Sequence, residues 1–345
     1  MSTDVAALAA TAQAIVADGK GVLAADESSP TIKKRFDSIG VESTEATRRS
    51  YREILFRTEG LGRFIGGVIL FDETLRQDAA DGTPLVKVLQ DQGIIPGIKV
   101  DAGAKTLPGS PNEKITEGLD GLPARVAEYV ELGARFAKWR AVINMGDHIP
   151  TPYCIEANAH ALARYARICQ EGGLVPIVEP EVMMEGDHDA AYCDWATHKT
   201  LHAVFNALFE QGVALEGMLL KPNMIVSGKD CATQADAAEV ARRTLACLQR
   251  TVPAAMPGNV FLSGGMTDEV ATENLDAMNR LPGPKPWKLS YSYGRALQHA
   301  ALNRWAGDDG NAASAQHALI CRAKFNSLAA QGQYSADMEQ ELQAA

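Results

Sequence analysis

The sequence predicts an α/β fold in which eight parallel strands close into a single (β/α)8 barrel, with a helix before it and a helix and tail after it. Eight short apolar runs recur along the 345 residues, and most are separated by stretches long enough for a helix. Strands alternating with helices imply a parallel sheet, and eight repeats suggest closure into a barrel. The competing arrangement is an open doubly wound sheet with an appended domain. Against it, no G-x-G-x-x-G follows the first run, no G-x-x-x-x-G-K-[ST] occurs, and no linker rich in Pro, Gly and Ser divides the chain.

In chain order, segment 1–18 is alanine-rich and carries two aspartates before its first basic residue, Lys20. A secretory leader would open on basic residues, and a mitochondrial presequence would be arginine-rich and poor in acids. The segment therefore reads as an amphipathic helix leading into the fold. The apolar runs, taken as strands, cover 21–25, 67–71, 94–100, 136–143, 174–178, 217–220, 260–262 and 287–291. Helical character fills 45–57, where apolar residues recur at helical intervals, and 123–133, which starts with proline and ends on glycine. It returns at 155–171, 190–211, 234–250, 268–280 and 295–305, whereas the link 82–93 holds only a short helical piece. The barrel core thus spans about 19–306 of one domain. Gly307-Asp308-Asp309-Gly310 should stop the last barrel helix. A further helix is expected over 312–328, and the polar stretch after Gly332 is expected to be a mobile tail, the two together occupying about 311–345.

Apolar residues make up 46% and charged residues 22%, which suits a globular chain with a substantial core. A formal charge of −10 disfavours nucleic acid and anionic membranes as partners. No stretch approaches the roughly 18 uninterrupted apolar residues of a spanning helix. Any anionic ligand must then be held by a local cationic cluster. Cys154, Cys169, Cys193, Cys231, Cys247 and Cys321 are dispersed and form no C-x-x-C pair, as expected for reduced thiols of a cytoplasmic protein. His198 and His202 have a helical spacing that can hold zinc. Lys199, however, stands where H-E-x-x-H has its glutamate, and no third ligand is evident, so no metal site is expected.

The active site of such a barrel lies at the carboxyl ends of its strands, and charged residues fall there in most of the runs. Asp26 follows the first, Lys99 lies in the third, Lys138 and Arg140 in the fourth, and Glu179 and Glu181 follow the fifth. Lys221 ends the sixth, inside Leu219-Leu220-Lys221-Pro222-Asn223. Proline biases the residue before it toward extended backbone, and an ammonium is almost never fully buried without a partner. The run therefore reads as a strand that ends with Lys221 aimed into a cavity. A solvent-reaching lysine is the simpler reading of that run alone; five or six strands presenting charge to one mouth argue against it.

An amine that attacks a carbonyl must be uncharged, and lysine has an ordinary pKa of about 10.4. Lowering it by about three units takes roughly 4 kcal/mol, which a neighbouring cation and a partly desolvated site can supply. Lys138 is the candidate cation. The amine also needs an acid to expel water from the carbinolamine, and strand order favours Glu179. Asp26, arriving from the opposite part of the barrel, can serve as a second base at the bond being broken. Ser263-Gly264-Gly265 and Ser292-Tyr293-Gly294-Arg295 follow the last two runs. Small residues near a helix N-terminus, with Arg295 as a bidentate cation, suit a phosphate. Lys99, Lys138, Arg140, Lys221 and Arg295 outnumber Asp26, Glu179 and Glu181, a surplus that suits a phosphorylated substrate.

On these residues the chain closely resembles class I (Schiff-base) fructose-1,6-bisphosphate aldolases. The matching segments are Leu23-Ala24-Ala25-Asp26-Glu27-Ser28, Gly66-Gly67-Val68-Ile69-Leu70-Phe71, Gly97-Ile98-Lys99-Val100-Asp101 and Phe136-Ala137-Lys138-Trp139-Arg140. They continue with Val178-Glu179-Pro180-Glu181, Leu220-Lys221-Pro222-Asn223, Leu262-Ser263-Gly264-Gly265 and Tyr293-Gly294-Arg295, in order over nearly the whole chain. The resemblance implies that Lys221 forms the imine, Glu179 gives and takes the proton, Asp26 takes part in carbon–carbon cleavage, Lys138 tunes the site and Glu181 supports the acid–base network. It implies that Ser263, Gly264, Gly265, Ser292, Gly294 and Arg295 hold one phosphate. Arg35 and Lys99, with Arg48 as a further candidate, would serve the other end of the substrate. It also implies a glycolytic and gluconeogenic lyase acting on fructose 1,6-bisphosphate, with no metal or other cofactor, assembled as a homotetramer.

A zinc-dependent aldolase would need a histidine cluster that is absent from the sequence, and a barrel reduced to a binding scaffold should have eroded at Lys221, Glu179 or Asp26. Animal members of the resembled family end in a tyrosine that assists proton transfer to the enamine. This chain ends Leu342-Gln343-Ala344-Ala345, and its last tyrosine, Tyr334, matches an internal family position, which leaves that transfer without an assigned group.

Overall fold

A computed structural model describes residues 3–343. Among them, ten strands form: β1 (Gly21–Ala25), β2 (Ile65–Leu70), β3 (Ile95–Lys99), β4 (Ala104–Leu107), β5 (Ser110–Thr116), β6 (Phe136–Ile143), β7 (Val175–Val182), β8 (Leu219–Leu220), β9 (Gly258–Phe261) and β10 (Lys288–Tyr293). Eight close into a parallel barrel in the order β1-β10-β9-β8-β7-β6-β3-β2, while β4 and β5 pair separately as an antiparallel hairpin. This is the expected (β/α)8, or TIM, barrel. No helix among the described residues is long and apolar enough to cross a membrane.

Period-two alternation sorts the strand residues between two cores. Val22 and Ala24 of β1, Ile69 of β2, Phe136 of β6, Val175 and Ile177 of β7, Leu219 of β8 and Val260 of β9 meet in the barrel interior. Their neighbours Leu23, Val68, Ala137, Val178, Leu220 and Phe261 join the larger core formed with the surrounding helices. The N-terminal helix, Val5–Ile15, is capped by Asp4, whose carboxylate accepts from Ala7 N at 3.0 Å. Leu8, Ala12, Ile15 and Val16 continue the interior cluster, so this helix closes the amino-terminal end of the barrel.

The interior narrows where Phe136 lies across the glycines of neighbouring strands. A Cβ at Gly97 would fall 2.3 Å from the Phe136 ring, and one at Gly67 would fall 2.9 Å from it. Glycine is required at 97 by close approach, with the aromatic ring supplying the volume that two side chains would otherwise fill.

Several boundaries differ from the sequence expectation. β7 runs on to Val182, past the expected end at 178, and β10 runs on to Tyr293. In β7 the apolar run stops at the first charged residue, but the ladder continues through Arg140↔Glu179 and Val142↔Glu181. The β4–β5 hairpin was not anticipated because most of its side chains are polar or exposed. Helix Ser29–Asp37, also unanticipated, starts behind Ser28 with Pro30 in its first turn. The described part of the stretch after Gly332, expected to be a mobile tail, includes helix Glu339–Gln343. Glu339 pairs with the buried Arg322 at 2.5 Å and Glu341 with Lys324 at 2.8 Å, so cations of helix Ala312–Ala329 anchor it.

Gly97→Ala should force the Phe136 ring or its strand to shift and lower stability by about 1–3 kcal/mol, the usual cost of overpacking. Urea unfolding checks this; an unchanged midpoint would show that the ring has room to move.

Candidate active site

The inward parity that fills the barrel floor continues upward into the charged residues. Phe136 is followed two and four residues later by Lys138 and Arg140, Ile177 by Glu179 and Glu181, Leu219 by Lys221, and Ala24 by Asp26. These side chains open into a cavity of about 500 Å³ at the carboxyl ends of the strands. Seven lysine or arginine side chains and four carboxylates line it, a local cationic surplus within a chain whose formal charge is −10.

Lys221 follows a strand of only two residues, yet its backbone is held from both sides. Lys221 N donates to Val178 O at 2.8 Å, and Pro222 O accepts from Leu262 N at 3.1 Å. The amide of Asn223 accepts from Val182 N at 3.1 Å and donates to Thr197 Oγ1 at 3.0 Å. The Lys-Pro-Asn run thereby ties β7, β9 and helix Ala190–Glu210 together around the lysine.

Charges alternate across the mouth. Lys221 Nζ lies 3.1 Å from Glu179 Oε1, Glu179 Oε2 lies 3.4 Å from Lys138 Nζ, and Lys138 Nζ lies 2.6 Å from Asp26 Oδ2. Burial pushes the Asp26 carboxyl up, but the ammonium groups of Lys138, Lys221 and Lys99 outweigh it and hold it down to about 2. Burial likewise works against the Lys138 ammonium, while Asp26, Glu179 and Asp101 prevail and raise it above the ordinary lysine range. Lys138 is therefore a fixed cation. Arg140 pairs with Glu181 and also donates to Met183 Sδ at 3.6 Å.

The opposite wall of the cavity is built for an anion. Gly264 turns the chain after β9 with φ +53, a left-handed conformation that favours glycine. The Ser292 hydroxyl is buried without a protein partner, and Ser263 is nearly buried beside it on the same wall. Gly294 precedes helix Arg295–Trp305, whose first backbone N–H groups lack intrahelical partners. Arg295 donates to Gly264 O at 3.1 Å and to Met266 O at 3.2 Å, which joins the two loops.

Of the residues singled out in the sequence, Asp26, Arg35, Lys99, Lys138, Arg140, Glu179, Glu181, Lys221, Ser263, Gly264, Ser292, Gly294 and Arg295 line this one cavity. Arg48 and Gly265 do not. Arg48 is taken by Glu73, with Nη2 and Nε 2.6 and 2.8 Å from its carboxylate oxygens. The Gly265 amide donates to Met184 Sδ at 2.7 Å. Tyr334 is buried elsewhere, with its hydroxyl donating to Glu339 at 2.8 Å. Sequence reasoning missed Glu27, Ser28, Thr31, Lys34 and Ser38, which come from the end of β1 and the unanticipated helix after it. It also missed Asp101, whose carboxylate accepts from Lys99 Nζ at 2.6 Å and fixes that side chain. The Asp26-Glu27 pair at a strand end was the available signal for Glu27.

A nucleophile-capable lysine, a carboxylate bridging it to a fixed cation, a second ionised carboxylate and an anion wall can form an imine with a phosphorylated ketone and move protons around it. Comparison with known proteins agrees. Residues 7–345 match the family described as fructose-bisphosphate aldolase class-I. The chain is 60% identical over 95% of its length, and 98% of the relative's, to a protein of Xanthomonas campestris pv. campestris named "Probable fructose-bisphosphate aldolase class 1". It is 52% identical to "Fructose-bisphosphate aldolase 4, cytosolic" of Arabidopsis thaliana, over 96% of this chain and 84% of that one. A solved structure of a fructose-bisphosphate aldolase from Plasmodium falciparum, in complex with TRAP and a small-molecule inhibitor, superposes with a TM-score of 0.95 at 52% identity, covering 97% of each chain.

With its carboxyl held to about 2, Asp26 should stay ionised throughout the neutral range. Its folded-state pKa lies below the unfolded value of about 3.9, so its contribution to stability is complete above that value and is lost as pH falls toward 2. Carboxyl 13C NMR of Asp26, assigned by difference from Asp26→Asn, checks this; a midpoint near 4 would show that the pair with Lys138 does not form.

Proposed function

The chain belongs to the class I fructose-bisphosphate aldolase family, and on that premise we propose that Lys221 is the amine that forms its Schiff base. The reaction is the reversible cleavage of fructose 1,6-bisphosphate to glycerone phosphate and glyceraldehyde 3-phosphate, a lyase step of glycolysis. The observation that carries the assignment is the 3.1 Å contact between Lys221 Nζ and Glu179 Oε1 in the cavity.

Glu179 is in reach to take the ammonium proton of Lys221, freeing the nitrogen lone pair to bond the C2 ketone carbon. The same proton, returned from Glu179, allows the carbinolamine hydroxyl to leave as water. The resulting protonated imine draws the electron pair of the C3–C4 bond as that bond breaks. Asp26, ionised in the resting site, accepts the proton of the C4 hydroxyl as glyceraldehyde 3-phosphate forms. Protonation at C3 and hydrolysis then release glycerone phosphate and restore the lysine. Lys138 touches both carboxylates and remains charged, so its part is to hold Asp26 and Glu179 in place. Glu181 restrains Arg140 at the rim. Ser263, Gly264, Ser292, Gly294 and Arg295 hold one phosphate, and Arg35 and Lys99 supply the remaining cationic contacts.

The subunit is proposed to assemble as a homotetramer. The ring of Phe209, 86% exposed, is an apolar surface that a second copy would cover, and sedimentation velocity tests this. A cytoplasmic location is also proposed; the word "cytosolic" in one relative's name and the free cysteines support it.

Borohydride reduction with glycerone phosphate should fix one ligand to Lys221, read by peptide mass. Labelling at another residue, or none, would defeat the assignment. Glu179→Gln should lower kcat by about 10²–10⁴-fold, the range of a lost general acid–base.

A further inference from the structure

Glu27 is an acid of the cavity wall with no task in the reaction above. A nearly buried carboxylate in a site for dianions opposes substrate binding by like charge, so its presence calls for a compensating role. Its contacts indicate that role. Arg35 Nη1 lies 2.7 Å from Glu27 Oε1, and Gln298 Nε2 donates to the same oxygen at 2.9 Å. Gln298 is fixed in turn by donating to Ala24 O at 2.7 Å and by accepting from the Tyr51 hydroxyl at 3.3 Å. From the other side, Arg52 donates to Glu27 O at 2.7 Å and to Thr74 Oγ1 at 2.6 Å.

Glu27, Tyr51, Arg52 and Gln298 are all buried, whereas the Arg35 side chain is 25% exposed. The cradle is rigid and Arg35 is the part that reaches the cavity. Its free edge is aimed: Arg35 Nη2 would sit 3.5 Å from a Cβ placed on Gly294, the residue that opens the helix at the anion wall. A long side chain on an exposed helix would otherwise lose considerable rotamer freedom on meeting a ligand.

We propose that Glu27 is a positioning residue that grips one edge of the Arg35 guanidinium and presents the other to a substrate phosphate. This rests on the cavity being the aldolase site, and it adds a selectivity device that the Schiff-base chemistry does not require. Glu27 makes the arginine ready for a dianion and, through its own charge, unwelcoming to ligands that do not bond Arg35.

The test is a double-mutant cycle between Glu27 and Arg35 in the full chain, read as KM and kcat for fructose 1,6-bisphosphate. Glu27→Ala should raise KM about tenfold, the worth of one unordered arginine, with the loss falling on KM rather than on kcat. Glu27→Gln keeps an oxygen that accepts from Gln298 and Arg35, and its KM should fall between those of the unaltered protein and Glu27→Ala. In an Arg35→Ala background, Glu27→Ala should no longer raise KM and should lower it, because the group it positions is gone and only its repulsion of the dianion is left to remove. An equal KM increase in both backgrounds, or none in either, overturns the inference. If Glu27→Ala does not fold, the same cycle with Glu27→Gln decides. Borohydride trapping separates the two levels: failure to trap Lys221 in the unaltered protein would defeat the reading of the site, whereas normal trapping with an additive cycle would defeat only the role of Glu27.

Discussion

The chain of alternating charge Asp26–Lys138–Glu179–Lys221 is the constraint around which the upper half of the barrel is arranged. All four side chains are between 5% and 12% exposed, and neighbours along the chain lie within 3.4 Å. A lone ion so placed would cost several kcal/mol in lost hydration, and mutual attraction offsets that cost only when partners are close and correctly ordered. Alternation gives each interior member an opposite charge on both sides. It also makes the four groups interdependent, since removing one leaves a neighbour uncompensated. The catalytic arrangement is thus held by the same contacts that make it tolerable to bury.

The barrel supplies the geometry by continuing one pattern through two layers. Inward positions are apolar near the amino-terminal end, where Phe136, Val175, Ile177, Leu219 and Val260 meet beneath the site. The next inward positions, on β6, on β7 and just past β8, carry Lys138, Glu179 and Lys221. A packed floor prevents the charged layer from sinking, and the ladder between β6 and β7 sets Arg140 beside Glu179 and Val142 beside Glu181. Stability and reactivity are therefore divided along the strand axis, with the floor and the N-terminal helix bearing the first.

The anion wall follows a different rule. It is assembled from loop backbone, two small hydroxyl residues and a helix start, whose partial charges need no compensating carboxylate. Arg295 bonds the loop after β9 from the helix after β10, so the two halves of the wall act as one piece. Arg35 reaches toward it from the other side, with buried Glu27, Gln298 and Arg52 holding the base of that reach. A net negative protein can present a cationic pocket because surplus cations are concentrated at one mouth while acids dominate elsewhere.

Alternation in the sequence determined the strand positions, the shared faces of Lys138 with Arg140 and of Glu179 with Glu181, and the placement of Lys221 at a strand end. These follow from the fixed period of extended chain, which local spacing encodes. The same logic misjudged where β7 and β10 end, because the charged Glu179 and Glu181 and the polar Ser292, which remain in the ladder, look like loop. The hairpin β4–β5 was hidden for the same reason, its polar residues being held by partners far along the chain, as Glu113 is by Thr151. Only tertiary structure decided that Arg48 belongs to Glu73, that Gly265 turns its amide to Met184, and that Glu27 grips Arg35. Each of those outcomes depends on a distance across space that barrel closure sets. Residue order limits which groups can approach one another but does not measure how near they come.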